Sequence, residues 1–226
     1  MARIVKDPDV RRGELIATAQ KLFYIKGYEK TSISDIVKAV GVAHGTFYYY
    51  FASKTAVLEA IVAEAVNQSQ ALLSAIVADE TLDAITKWQQ ANQASSSWKN
   101  EQKEEMRELY RLLMRDENVL MQHKLRIEIA RMTAAELAKI IAQGVEEGVF
   151  IAPFPQEAAE AAQAMIASFS DTVGRIMLNL DDYDDPATLA QRKRVTVQKA
   201  IEAMLNAPPD SLPVMEESRM LAWFED

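Results

Sequence analysis

Apolar residues recur at spacings of three and four along most of this chain, and no stretch alternates at spacing two as a strand would. Three to four residues is the helical period, so the pattern predicts helices throughout. Ile16, Ala19, Leu22 and Phe23 form the first such stripe, within a helix predicted over Asp9–Lys26. Asp7 or Asp9 can cap it, Pro8 suits its first turn and Gly27 stops it. Ser32 stands three residues before Asp35, a capping-box pair with Asp in the usual Glu position, and opens a short second helix. Ile33, Ile36, Val37 and Val40 give that helix its apolar face, and Gly41 ends it at a tight turn. A third helix starts near His44, and Ser53 caps a long fourth one over Lys54–Val77.

Beyond it the pattern predicts helices at about Leu82–Ser96, Glu101–Arg115, Val119–Glu147, Gln156–Leu180 and Ala187–Leu205. The run GVFIAPFP, with Pro153 and Pro155, is the clearest loop, and DDYDDP (181–186) is an acidic connector. NAPPDSLP ends the regular pattern, and a last short helix can form in the tail after it. The fold class that follows is all-α, with about nine to ten helices.

Composition narrows the picture. Cysteine is absent, which excludes disulfides and thiol chemistry and suits a reducing cytoplasm. No apolar run reaches the roughly 20 residues of a membrane span, and the N-terminus has no signal-peptide core. A cytoplasmic protein without membrane partners is expected. Residues 1–60 hold nine Lys/Arg against six Asp/Glu, whereas the rest holds sixteen against twenty-seven. A basic head on an acidic body points to a polyanion partner for the head alone.

The stretch GTFYYYF (45–51) carries the chemistry. Two short helices joined at a glycine turn make a helix-turn-helix, whose second helix fits a DNA major groove about 12 Å wide. At 100° per residue Phe47, Tyr50 and Phe51 share a face, which should be the core side. Tyr49 points almost opposite, and Tyr48, Thr46 and Gly45 lie on the flanks or the outer face. DNA would cover those tyrosines, since a phenol donates to phosphate and its ring packs on a sugar or thymine methyl.

The pieces Ala19–Tyr28 (A-x-x-L-F-x-x-x-G-Y), Thr31–Ile36 (T-S-x-x-D-I), Gly41-Val42 and Gly45–Lys54 (G-T-F-Y-Y-Y-F-x-S-K) occur in order. Together they resemble the N-terminal domain of the tetracycline-repressor (TetR) family of bacterial transcription regulators. The resemblance covers about the first quarter of the chain. It implies a helix-turn-helix DNA-binding domain over 9–69, with the motif at about 32–51, and a larger ligand-binding and dimerisation domain over 70–226. Such proteins are homodimers, usually repressors that leave operator DNA when a small molecule fills the body. An activator, or a ligand-binding dimer without DNA function, is the alternative. Carried over by position, Thr46 and Tyr49 would approach bases, with His44 and Gly45 at the helix entry. Tyr48 and Tyr50 would reach phosphates, with a base as the alternative for Tyr48; Thr31 or Ser32 and Lys54 would also reach phosphates. Ala43 departs from the family's usual Ser or Thr cap.

The body holds Trp88, Trp98 and Trp223 and nine of the ten methionines, adaptable side chains that suit a ligand cavity or a Met-rich core. The resemblance places a pocket between the fourth and eighth helices, with Trp88, Tyr110, Met114, Met165 and Phe169 as candidate effector contacts. It places a four-helix dimer interface on the eighth and ninth helices, with Met165, Ile166, Phe169, Val173, Met177, Val197, Ile201 and Met204 as candidates. Catalytic patterns are lacking: there is no H-E-x-x-H, no glycine-rich phosphate loop, and only two histidines. His123 stands near Glu117 and Glu128, but at no recognised metal spacing. No enzyme activity, metal or cofactor is expected.

Overall fold

The computed structural model describes residues 7–101 and 103–224. Arg3 and Lys6, counted in the basic head, lie outside the described residues, as do Glu225 and Asp226. The described residues form ten α-helices and no strand. They are α1 (Pro8–Lys26), α2 (Ile33–Val40), α3 (His44–Tyr50), α4 (Lys54–Val77), α5 (Ala84–Glu101), α6 (Lys103–Leu113), α7 (Val119–Glu146), α8 (Pro155–Leu178), α9 (Pro186–Leu205) and α10 (Glu217–Leu221). Short 3-10 turns at Asp116–Asn118 and Leu180–Asp182 precede α7 and follow α8. Each expected helix is present, with ends shifted by a few residues.

The chain divides into two compact units, Met1–Asn67 and Gln68–Asp226, with the division inside α4. The first unit, the head, is built on the stripe read from α1. Leu15, Ile16, Ala19 and Phe23 are buried, together with Ile36 and Val37 of α2, Phe47 of α3 and Phe51 just after it. Val57, Leu58, Ala60, Ile61 and Val62 of α4 complete that core. By length and mean hydropathy (1.3) α4 is apolar enough to cross a membrane. The sequence expectation that no run approaches a span therefore needs correcting for this helix. Glu59 and Glu64 interrupt it, however, and its five buried residues already serve the head.

In the second unit, the body, α7 and α8 pack most extensively, and α8 also packs on α9 and α6. Its core holds Trp88 of α5, Leu137, Ile140 and Ile141 of α7, Phe169 and Ile176 of α8, and Ile201 and Leu205 of α9. The segment after α9 belongs to this core through Leu212, Val214, Met215, Met220 and Trp223. Side chains from three helices hold its backbone in place. Trp88 Nε1 donates to the Pro213 carbonyl (2.9 Å), Gln89 Nε2 to that of Ser211 (3.1 Å) and Asn92 Nδ2 to that of Val214. Arg194 donates to the Met215 carbonyl (3.2 Å) and Arg107 to that of Trp223 (3.3 Å). Each bond satisfies a backbone group that burial would otherwise leave unpaired.

Candidate nucleic-acid interface and body cavity

The head's second helix is fixed at both ends. Ser32 Oγ accepts from the Asp35 amide (3.1 Å), and the Ser32 amide donates to Asp35 Oδ2 (2.9 Å), closing the capping box. The Ser32 hydroxyl also donates to Asp35 Oδ2 (2.8 Å), and Lys26 Nζ reaches Oδ1 (3.0 Å). The Ser32 amide and hydroxyl, then Lys26, hold the Asp35 carboxyl well below the usual carboxylate range. At the other end Gly41 adopts φ 77°, ψ 38°, the left-handed conformation glycine takes without strain. Its amide and that of Val42 both return to the Val37 carbonyl (2.9 Å each), making the tight turn into α3.

On α3 the aromatics divide by angle. Phe47 is fully buried and Phe51 nearly so, their centroids 5.9 Å apart. Arg12 lies over the Phe51 ring, 5.3 Å from its centroid. Tyr50 is half-buried, while Tyr48 is 56% and Tyr49 77% exposed. Each exposed ring is steadied edge-on by a neighbour, Tyr48 by Phe47 (5.6 Å) and Tyr49 by Tyr50 (4.8 Å). His44 is exposed, with Nε2 3.3 Å from Ser34 Oγ, a contact linking α2 to α3. Ala43 holds extended cap geometry but supplies no side-chain cap. Gly45 is exposed, and a Cβ placed on it would meet nothing within 4 Å.

Three of the residues assigned to phosphate stand differently from expectation. Thr31 is 1% exposed, with its hydroxyl facing the carbonyls of Gly27 (2.9 Å) and Leu22 (3.2 Å). It ties α1 to the turn, with its hydroxyl directed into the head and away from solvent. Ser32 is exposed, but its hydroxyl proton goes to Asp35, whose carboxylate repels an anion. Lys54 Nζ donates to the carbonyls of Tyr28 (2.8 Å) and Thr31 (3.1 Å) and stands 4.0 Å from the Tyr28 ring centroid. An ammonium has three protons, so two of Lys54's are committed to bracing the turn. Sequence reasoning missed this brace because carbonyl partners leave no mark in a side-chain pattern.

The body contains a cavity of about 30 Å³ lined by Met106 and Tyr110 of α6 and Phe169, Ser170, Val173, Gly174 and Met177 of α8. Met215 and Trp223 of the C-terminal segment complete its lining. Of the candidate effector residues it brings together Tyr110 and Phe169. Trp88, Met114 and Met165 are not among its lining: Trp88 braces Pro213, and Met114 is exposed, its sulfur accepting from Gln122 Nε2 (3.1 Å). Burial, then the Asp171 carboxylate, push the Tyr110 phenol's pKa up, opposed by Arg126. It therefore stays a neutral donor. Met215 and Trp223 belong to the Trp- and Met-rich set read as suited to a cavity, but were not among the five named contacts, since they lie in the tail beyond the helices expected to line it.

Five of the eight candidate dimer residues are buried within their own subunit. Phe169, Val173, Met177, Val197 and Ile201 are each at most 7% exposed and pack in their own subunit's core. A side chain already out of water has almost no area left to bury against a partner. Met165, Ile166 and Met204 are partly buried against the same core.

A short helix capped at Ser32, a glycine turn and a second helix with outward tyrosines define a helix-turn-helix head on a helical body. Residues 15–61 match the family described as bacterial regulatory proteins, tetR family. The chain is 41% identical over 54 residues to the HTH-type transcriptional regulator EthR of Mycolicibacterium smegmatis, covering 24% of this chain and 25% of that protein. It is 37% identical over 54 residues to the HTH-type transcriptional repressor KstR2 of Mycobacterium tuberculosis, covering 24% and 27%. The match thus spans about a quarter of these relatives' length. A tetR-family transcriptional regulator from Pectobacterium atrosepticum superposes with TM-score 0.64 at 18% identity, over 91% of this chain and 100% of that one. The head is thus similar in sequence to tetR-family domains over residues 15–61, and the whole chain shares its fold with that solved tetR-family structure.

Proposed function

We propose that this protein is a cytoplasmic DNA-binding transcriptional regulator, a homodimeric repressor that leaves its operator when a small molecule occupies the body. The observation that carries the reading is the division of α3, with Phe47 and Phe51 inward and Tyr48 and Tyr49 outward. Two exposed tyrosines side by side are costly on a free surface, and a nucleic acid has the chemistry to cover them. Gly45 supports it: glycine destabilises a helix by roughly 0.5–1 kcal/mol relative to Ala. No packing inside the head requires it, so it serves a close approach from outside. In this reading Thr46 and Tyr49 meet base edges, while His44, Tyr48 and Tyr50 meet the backbone. Lys54 adds a phosphate contact with its third proton.

The dimer contact is assigned to the outward faces of α8 and α9. Ala161, Ala164 and Ser168 on α8, and Thr196, Ala200 and Ala203 on α9, are exposed at helical spacing. Small side chains there let partner helices approach closely. Two heads about one DNA turn apart, roughly 34–36 Å or a multiple, would then read a palindromic site. The KstR2 relative is a transcriptional repressor, which favours repression over activation.

Operator binding by the Tyr49→Ala variant tests the reading. Affinity for the selected site should fall about ten- to a hundredfold, as for a lost base-edge contact worth about 1–3 kcal/mol. Binding to unrelated DNA should be little changed. Equal operator affinity of variant and wild type, or a monomer on a sizing column at micromolar concentration, would overturn it.

A further inference from the structure

Two indole N–H groups in the body are buried, and they are treated differently. That of Trp88 donates to the Pro213 carbonyl. That of Trp223 has no hydrogen-bond partner among the described residues, although Trp223 is only 4% exposed. A buried indole N–H usually finds an acceptor, because leaving it unpaired is unfavourable. Trp223 lines the body cavity, so an acceptor placed there is positioned to meet the need.

The rest of the lining says what kind of molecule would bring that acceptor. Among the described residues none of the lining is charged, and Met106, Phe169, Val173, Met177 and Met215 make the wall mainly apolar. A charged ligand would lose its hydration there without gaining a counter-charge, so the fit is to a neutral one. The present volume of about 30 Å³ is water-sized, so a ligand must open the site. Three methionines in the wall, unbranched and adaptable, allow that. So does the C-terminal segment, whose described residues hold a single helix, α10, of five residues. On the α6 side, Gly174 lets the Tyr110 ring lie close: a Cβ there would stand 2.7 Å from Cε1. That contact is tight, so expansion falls to the methionines and the C-terminal wall.

We propose that this cavity takes a small, neutral, largely apolar molecule with one hydrogen-bond acceptor, such as a ketone carbonyl, which accepts the N–H of Trp223. The C-terminal segment is then part of the recognition site, with its Trp as the specificity-determining residue. This deepens the effector-binding half of the function proposed above and rests on that reading.

Matched probes test it. Acetophenone with ethylbenzene, and 2-octanone with octane, are pairs of similar shape in which one member carries a carbonyl. Calorimetry or thermal-shift titration of the full chain should show each ketone binding about tenfold more tightly than its hydrocarbon, the effect of one buried hydrogen bond. In Trp223→Phe, which keeps an aromatic ring and removes the N–H, that difference should vanish. On wild type the Trp223 indole resonance, assigned by its absence from the variant, should move with ketone and stay with hydrocarbon, so the test survives poor folding of the variant. Equal binding within each pair, no binding by any probe, an unmoved indole resonance, or discrimination that persists in Trp223→Phe would each overturn the proposal. DNA binding is measured on the same preparations. Intact DNA binding without ketone discrimination sinks only this inference. Ketone discrimination without DNA binding sinks the regulator reading and leaves the cavity assignment standing.

Discussion

Lys54→Met removes the ammonium that braces the Tyr28–Thr31 turn and keeps most of the side chain's apolar length. Two charge-assisted bonds, at 2.8 and 3.1 Å, and a ring contact at 4.0 Å disappear together. Hydrogen bonds to charged groups contribute about 1.5–3 kcal/mol each, and a cation–π contact about 0.5–1 at partly exposed sites. Lys54 is half-exposed, so water replaces part of each, and a net loss of about 2–3 kcal/mol is expected for the head. That is roughly a 30- to 150-fold fall in the protection of head amides against hydrogen exchange. Amide exchange is the right assay because all three tryptophans lie in the body, where fluorescence does not report on the head. A lysine that only touched phosphate would leave protection unchanged while lowering the salt slope of DNA binding by about 0.9. Unchanged protection in α1–α3 of Lys54→Met would therefore refute the bracing role.

Three further outcomes follow from the head. Ala43→Ser supplies the missing cap of α3 in a backbone already extended there, and should stabilise the head by about 1 kcal/mol, read as slower amide exchange. Gly45→Ala should stabilise the free head by up to roughly 0.5–1 kcal/mol yet weaken operator binding, since its methyl occupies space left for DNA; parallel changes in both readouts would contradict the close-approach role. Asp35 has a depressed folded-state pKa, so its contribution is present above an unfolded value of about 4 and is lost as pH falls through the folded one. The stability difference between wild type and Asp35→Asn should stay constant from pH 7 to about 5 and shrink only below about pH 4.

Much of the head was legible in the sequence because its signals are local. Ser32, Asp35 and Gly41 mark both ends of α2 within ten residues, and 100° per residue correctly set Phe47 and Phe51 against Tyr49. Tyr50, placed inward by angle alone, is half-buried, so its ring and hydroxyl have different surroundings. The roles of Thr31 and Lys54 were hidden because their partners are backbone carbonyls, which every residue carries. In the body, the stripe Phe169, Val173 and Met177 announced burial but not what would cover it. Intrasubunit core and dimer contact look identical in a periodicity. The cavity was the least legible part, since Trp223 reaches it from the far end of the chain and Trp88 binds a carbonyl 125 residues away.

The central claim is that α3 reads DNA sequence with its outward tyrosines. The most direct measurement is selection from a pool of random-sequence duplexes, run in parallel with wild type and Tyr49→Ala and followed by affinity for the enriched site against a scrambled one. The account predicts that wild type enriches an inverted-repeat site, and that Tyr49→Ala loses about ten- to a hundredfold of its preference for that site while retaining non-specific binding. A wild-type protein that enriches no sequence, or a variant whose preference equals that of wild type, would contradict it.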